Sequence, residues 1–148
     1  MAVPENVVKT SDFDFFSQEE AEVFDNTVGI RRRHIAPDNM CASDMCQAAA
    51  EKLLEELGWE RDSIDVLLFE SVTGDYRTPP TSCILQDRLA LSENCFCMDI
   101  PMGCCGCMYA ITVAGNLLTT GNVKRALLLI GDTALRMGSM KDKSRVPL

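Results

Sequence analysis

Cys104 is the residue whose type and setting point most directly to chemistry. It lies in Asp99-Ile100-Pro101-Met102-Gly103-Cys104-Cys105-Gly106-Cys107-Met108-Tyr109-Ala110, where a buried strand is predicted to run through a tight turn into a long helix. The first amides of a helix have no intrahelical partner and form the positive end of its dipole, so they favour a thiolate and ready it for nucleophilic attack. The same amides could hold a developing oxyanion. Two other readings of these residues stand beside that one. Cys104, Cys105 and Cys107 could be buried packing residues, because free cysteine is among the most buried residue types. A metal cluster of Cys95, Cys97, Cys104, Cys105 and Cys107 is not expected: adjacent strand residues face opposite ways, no paired CxxC occurs, and the only histidine, His34, is remote in sequence. A basic run, Arg31-Arg32-Arg33, is the other charged feature. In an extended segment Arg31 and Arg33 would share one face, suited to an anion or simply to water.

The elements that must position these groups are legible as patterns. Ser17-Gln18-Glu19-Glu20 fits a capping box opening a helix that ends near Asn26, before Gly29. Met45, Ala49, Leu53 and Leu57 recur at helical spacing and Gly58 supplies a stop. Asp65–Glu70 is a short apolar run expected to be a strand buried on both faces. Thr78 before Pro79 is read as a cap, with proline in the first turn of a helix through Leu89. Cys95–Ile100 gives another buried strand, a helix runs from about Cys104 to Thr120 before Gly121, and Ala126–Ile130 gives a further strand. The order α, α, β, α, β, α, β predicts an α/β layer architecture with a mostly parallel central sheet flanked by helices.

Composition narrows the function classes. At 148 residues and 47% hydrophobic, the chain suits one domain with a substantial core. A formal charge of -8 gives no footprint for nucleic acid. The N-terminus lacks signal-peptide character and no apolar run is long enough to cross a bilayer, which predicts a cytoplasmic protein without a membrane partner. The eight cysteines then read as reduced thiols.

The stretch from Asp99 to Ala110 resembles the D-x-x-x-x-C-[SA]-G-F segment of the β-ketoacyl-acyl carrier protein synthase III family of thiolase-fold condensing enzymes, with Asp99, Cys104 and Gly106 in register. Val28-Gly29-Ile30-Arg31-Arg32-Arg33-His34-Ile35-Ala36 is similar to the family's T-G-I-x-x-R-x-x-A segment, and Val3-Pro4-Glu5-Asn6 to its L-P-x-x turn. The resemblance implies that residues 1–148 form an N-terminal thiolase-like half-domain lacking its first strand, with the second half of the duplicated fold outside this chain. It implies a ping-pong reaction in which Cys104 accepts an acyl group from acyl-CoA, bound as substrate with no permanent cofactor. Malonyl-acyl carrier protein is then decarboxylated to give the attacking carbanion, in fatty acid or polyketide synthesis. The histidine and asparagine that complete the family's site lie in the second half, so this chain alone is expected to be inactive.

The same resemblance aligns Arg31 with an arginine that contacts coenzyme A and implies a homodimer. Val23 stands where the best-known members carry an adenine-stacking tryptophan. Thr78 stands where a phenylalanine commonly closes the acyl pocket, and its smaller side chain implies a longer or branched primer. Cys105 and Cys107 replace the usual small residue and phenylalanine. Alternatives are a non-condensing acyltransferase, a hydroxymethylglutaryl-type synthase relative, or a structural partner subunit; retention of Cys104 weighs against the last.

Overall fold

The computed structural model describes residues 1–137. They fall into two compact units, one formed by Cys41–Asp132 with Met1–Ala2, the other by Val3–Met40 with residues 133–137.

The larger unit is a three-layer α/β arrangement. Strands β3 (Val66–Glu70), β4 (Phe96–Ile100) and β5 (Ala126–Ile130) form a parallel sheet in the order β4-β3-β5, with Leu68 opposite Met98 on one side and Leu128 on the other. Each parallel step needs a crossover, and the intervening helices α3 (Thr81–Arg88) and α4 (Gly106–Thr119) supply it. Side-chain alternation divides β3 between two cores. Leu67 and Phe69 pack with Ala42, Cys46, Ala50 and Leu54 of α2 (Ala42–Leu57) and with Leu85 and Leu89. Val66 and Leu68 pack with Ile100 and with Ala110 and Ala114 of α4. Helix α2 ends as its sequence predicts, with Gly58 in the left-handed region.

The three predicted strands are neighbours, as expected, and only the central one is buried throughout. Phe96 on β4 is 51% exposed and Ile130 on β5 is 45% exposed. Both strands lie at the edges of the described sheet, where nothing covers one side. The predicted start of α3 needs correction: Thr78 is not its cap. Thr78 precedes Pro79 and Pro79 precedes Pro80, and a residue before proline is kept out of the helical region. The helix therefore begins only at Thr81, with Pro80 at the cap position and no side-chain cap of its own.

The smaller unit contains α1 (Gln18–Val28) and a pair of short antiparallel strands, β1 (Val7–Lys9) and β2 (Arg32–His34), which the predicted order omitted. Helix α1 has the capping box read from Ser17 and Glu20 and stops at left-handed Gly29. The strands are three residues long, too short for an alternation pattern to stand out.

Candidate active site

Strand β4 ends in Pro101-Met102, and the chain turns at Gly103, whose φ of +63° strains any other residue. Gly103–Cys105 form one 3-10 turn before α4 begins at Gly106. Cys104 thus stands just ahead of the α-helix rather than in its first turn, and its residue is exposed. Cys105 is also exposed, but its thiol donates back to the Met102 carbonyl at 3.3 Å. Cys107 is half-buried. Among the described residues neither Cys104 nor Cys105 packs into a core.

Beneath this turn lies a residue to which the sequence reading gave no role. Glu70 ends β3 on the face shared with Val66 and Leu68, and is only 3% exposed. The Gly103 amide is close enough to the carboxyl to favour its charged form, whereas Oε1 is buried without a hydrogen-bond partner. Burial, reinforced by the charge of Asp132, raises the pKa of this carboxyl above the usual range. Its side chain occupies the space under Gly106: a Cβ at that glycine would lie 2.0 Å from Glu70 Oε1 and 2.5 Å from Cγ. The signal in the sequence is a carboxylate closing an otherwise aliphatic run, Val66-Leu67-Leu68-Phe69-Glu70.

In the sequence Asp99 marks only the register of the cysteine motif, and the structure gives it work. Its two oxygens accept the amides of Thr81 and Ser82, both at 2.7 Å, and so cap α3 from the neighbouring strand. The loop between β3 and α3 is fastened by two further carboxylates. Asp132 Oδ1 accepts from the Ser71 hydroxyl at 2.8 Å, the Val72 amide at 2.8 Å and the Thr73 hydroxyl at 2.9 Å. Asp75 accepts from the Ser43 hydroxyl, while its own amide donates to Thr81 Oγ1 at 3.1 Å. Val72 reaches the cysteine turn, its Cγ1 lying 3.6 Å from where a Gly103 Cβ would stand. Thr78 is exposed on this loop.

The other thiols differ in kind. Burial, with a smaller push from Asp132 and Asp75, raises the Cys46 thiol to about 11. Burial next to Cys95 raises Cys97 to about 12. All eight cysteines are free, and among the described residues no group of three or more potential ligands is placed to hold a metal ion.

Arg31 belongs to the smaller unit, where it is exposed. The expected shared face with Arg33 does not form. Arg33 is buried, donates to Thr10 Oγ1 at 3.3 Å and lies 5.5 Å over the Phe24 ring, because it anchors β2 to α1. His34 Nδ1 is 2.6 Å from the Pro4 carbonyl. Val23 is 66% exposed on α1.

A parallel sheet between helix layers, with a cysteine-bearing turn leading from a strand into a helix, is the arrangement expected of a thiolase-like fold. The family profile described as 3-Oxoacyl-[acyl-carrier-protein (ACP)] synthase III matches residues 98–148. A β-ketoacyl-[acyl-carrier-protein] synthase III of Xanthomonas oryzae is 32% identical over 142 residues, covering 96% of this chain and 43% of the relative. One from Rhodopirellula baltica is 33% identical over 146 residues, covering 99% and 41%. A solved 3-oxoacyl-(acyl-carrier protein) synthase from Burkholderia xenovorans superposes with a TM-score of 0.92 at 40% identity, over 97% of this chain and 41% of that one. The chain is similar to synthase III enzymes along nearly all its length, and it spans less than half the length of the curated relatives it matches.

Proposed function

We propose that the intact protein containing this chain is an acyltransferase of the 3-oxoacyl-[acyl-carrier-protein] synthase III type, with Cys104 as the acyl-accepting nucleophile. The carrying observation is an exposed thiol at a glycine turn immediately before α4, in a chain whose sequence and fold match that family along nearly all its length. The Cys104 thiolate attacks the carbonyl carbon of acyl-CoA; a carbon–sulfur bond forms at Cys104, and coenzyme A leaves as its thiolate. Malonyl-acyl carrier protein then loses carbon dioxide, and the resulting carbanion attacks the acyl carbon. A carbon–carbon bond forms and the Cys104 thiolate is released.

Acyl-CoA and acyl carrier protein are the substrates in this reading, with Arg31 contacting coenzyme A. Exposed Val23 offers no flat surface for an adenine. Thr78, small and exposed, favours a longer or branched primer. The assembly is a homodimer working in the cytoplasm, a setting that suits eight free thiols. No described helix is long and apolar enough to cross a membrane.

The test is to incubate the intact protein with a radiolabelled acyl-CoA and map the modified peptide by mass. The acyl group should fall on Cys104, with labelling lost in Cys104→Ala and retained in Cys105→Ala and Cys107→Ala. Labelling that survives loss of Cys104 removes this mechanism. Addition of malonyl-acyl carrier protein should release a 3-oxoacyl product. Transfer to an oxygen or nitrogen nucleophile instead would favour the non-condensing alternative.

A further inference from the structure

We propose that Glu70 is a positioning residue for Cys104. This inference rests on the reading of Cys104 as the nucleophile and concerns a residue which that reading does not use. A carboxyl group at the end of an aliphatic strand is an expensive choice, because burial without full hydrogen bonding costs more than an apolar side chain would. Here the Gly103 amide favours the charged carboxylate from close by, and Oε1 has no hydrogen-bond partner.

The geometry ties both ends of the cysteine turn to this one side chain. Gly103 brings its amide up to the carboxyl, and its positive φ sets the direction of the turn. Gly106, three residues on, has its missing Cβ replaced by the carboxyl itself. Cys104 and Cys105 are therefore carried on a bridge whose two glycine piers rest on Glu70. Along α4, the buried small residues Gly106, Ala110 and Ala114 recur every four positions, and on β3 Val66, Leu68 and Glu70 recur every two. These matched periods place the carboxyl under the first turn of the helix and the aliphatic side chains under the later ones. A leucine at position 70 would fill space but offer no oxygen to the Gly103 amide, and an alanine would leave the bridge unsupported. The side chain required is long, flat at its end and a hydrogen-bond acceptor.

The experiment measures the rate of Cys104 alkylation by iodoacetamide across the neutral to alkaline range, together with thermal melting, in the intact protein and four variants. Glu70→Gln keeps the length and the acceptor, so its profile should stay within about twofold of wild type. Glu70→Ala should slow alkylation at neutral pH about three- to tenfold as the turn that carries Cys104 loses its support. Gly106→Ala alone should melt well below wild type, because its Cβ collides with Glu70. In Glu70→Ala/Gly106→Ala the new methyl takes the vacated space, so melting should recover while alkylation stays slow.

That split is what a space-filling role does not give. Wild-type alkylation in the refilled double variant, or a Glu70→Gln profile as poor as that of Glu70→Ala, would overturn the proposal. Because the readout needs no acyl-CoA, a Cys104 that alkylates normally but never acylates would count against the proposed function and leave the Glu70 result to be decided by the same rates.

Discussion

Burying the Glu70 carboxyl has a thermodynamic consequence of definite sign. Its pKa is raised in the folded chain, so between the unfolded value and the higher folded one the native state binds more protons than the unfolded state. Stability must then fall as pH rises through the folded value. Glu70→Gln removes the titration, and the variant should gain stability over wild type toward neutral pH, the gap closing as pH falls to the ordinary carboxylate range. Denaturant midpoints at several pH values check this, and a gap that widens in acid would contradict it. The thiols give a second expectation at this scale. Cys46, raised to about 11, and Cys97, raised to about 12, stay protonated near neutrality, whereas Cys83, Cys104 and Cys105 are exposed. A brief alkylation of the native protein followed by peptide mapping should therefore label Cys83, Cys104 and Cys105 before Cys46 and Cys97.

Helix α3 depends on a group outside itself. With no side-chain cap of its own, it takes both oxygens of Asp99 from β4 on its first two amides. Asp99→Ala leaves those amides unsatisfied and is expected to cost about 1–2 kcal/mol, seen as a melting temperature lower by several degrees. Asp99→Asn, which keeps one acceptor, should cost less. This contact explains which parts of the fold were legible in the sequence. Local signals carried α1, α2, α4 and the three parallel strands, because capping residues, helical periodicity, glycine stops and aliphatic runs all act within a few residues. The start of α3 was misplaced because its cap comes from a residue 18 positions away. Strand β1 is absent from the sequence reading and β2 falls in a segment read only as an extended or irregular connection, because three residues carry too little pattern. At the site, Cys104 stands out by its place where a strand turns into a helix, but the support from Glu70 and the loop clamps on Asp132 and Asp75 are long-range contacts that spacing alone does not reveal.

Exposed apolar side chains on the larger unit bear on assembly. Strand β4 is an edge of the described sheet, and an edge presents a row of free backbone groups that proteins cover, charge or pair. Phe96, half exposed at the start of β4, is the opposite of a charged guard, and Met108, Tyr109 and Ile111 on α4 expose further apolar surface in the same unit. A second copy meeting β4 about a twofold axis would extend the sheet and bury that phenylalanine on both sides at once, since a twofold contact doubles every favourable pair. The formal charge of -8 opposes association, so the contact has to be apolar and directional to prevail. The intact protein is therefore expected to sediment as a dimer at micromolar concentration. Phe96→Glu, which puts a carboxylate on the strand edge without touching either core, should raise the monomer fraction at least about tenfold in dissociation constant while leaving circular dichroism unchanged. An intact protein that sediments as a monomer, or a Phe96→Glu variant that associates like wild type, would move the interface away from β4.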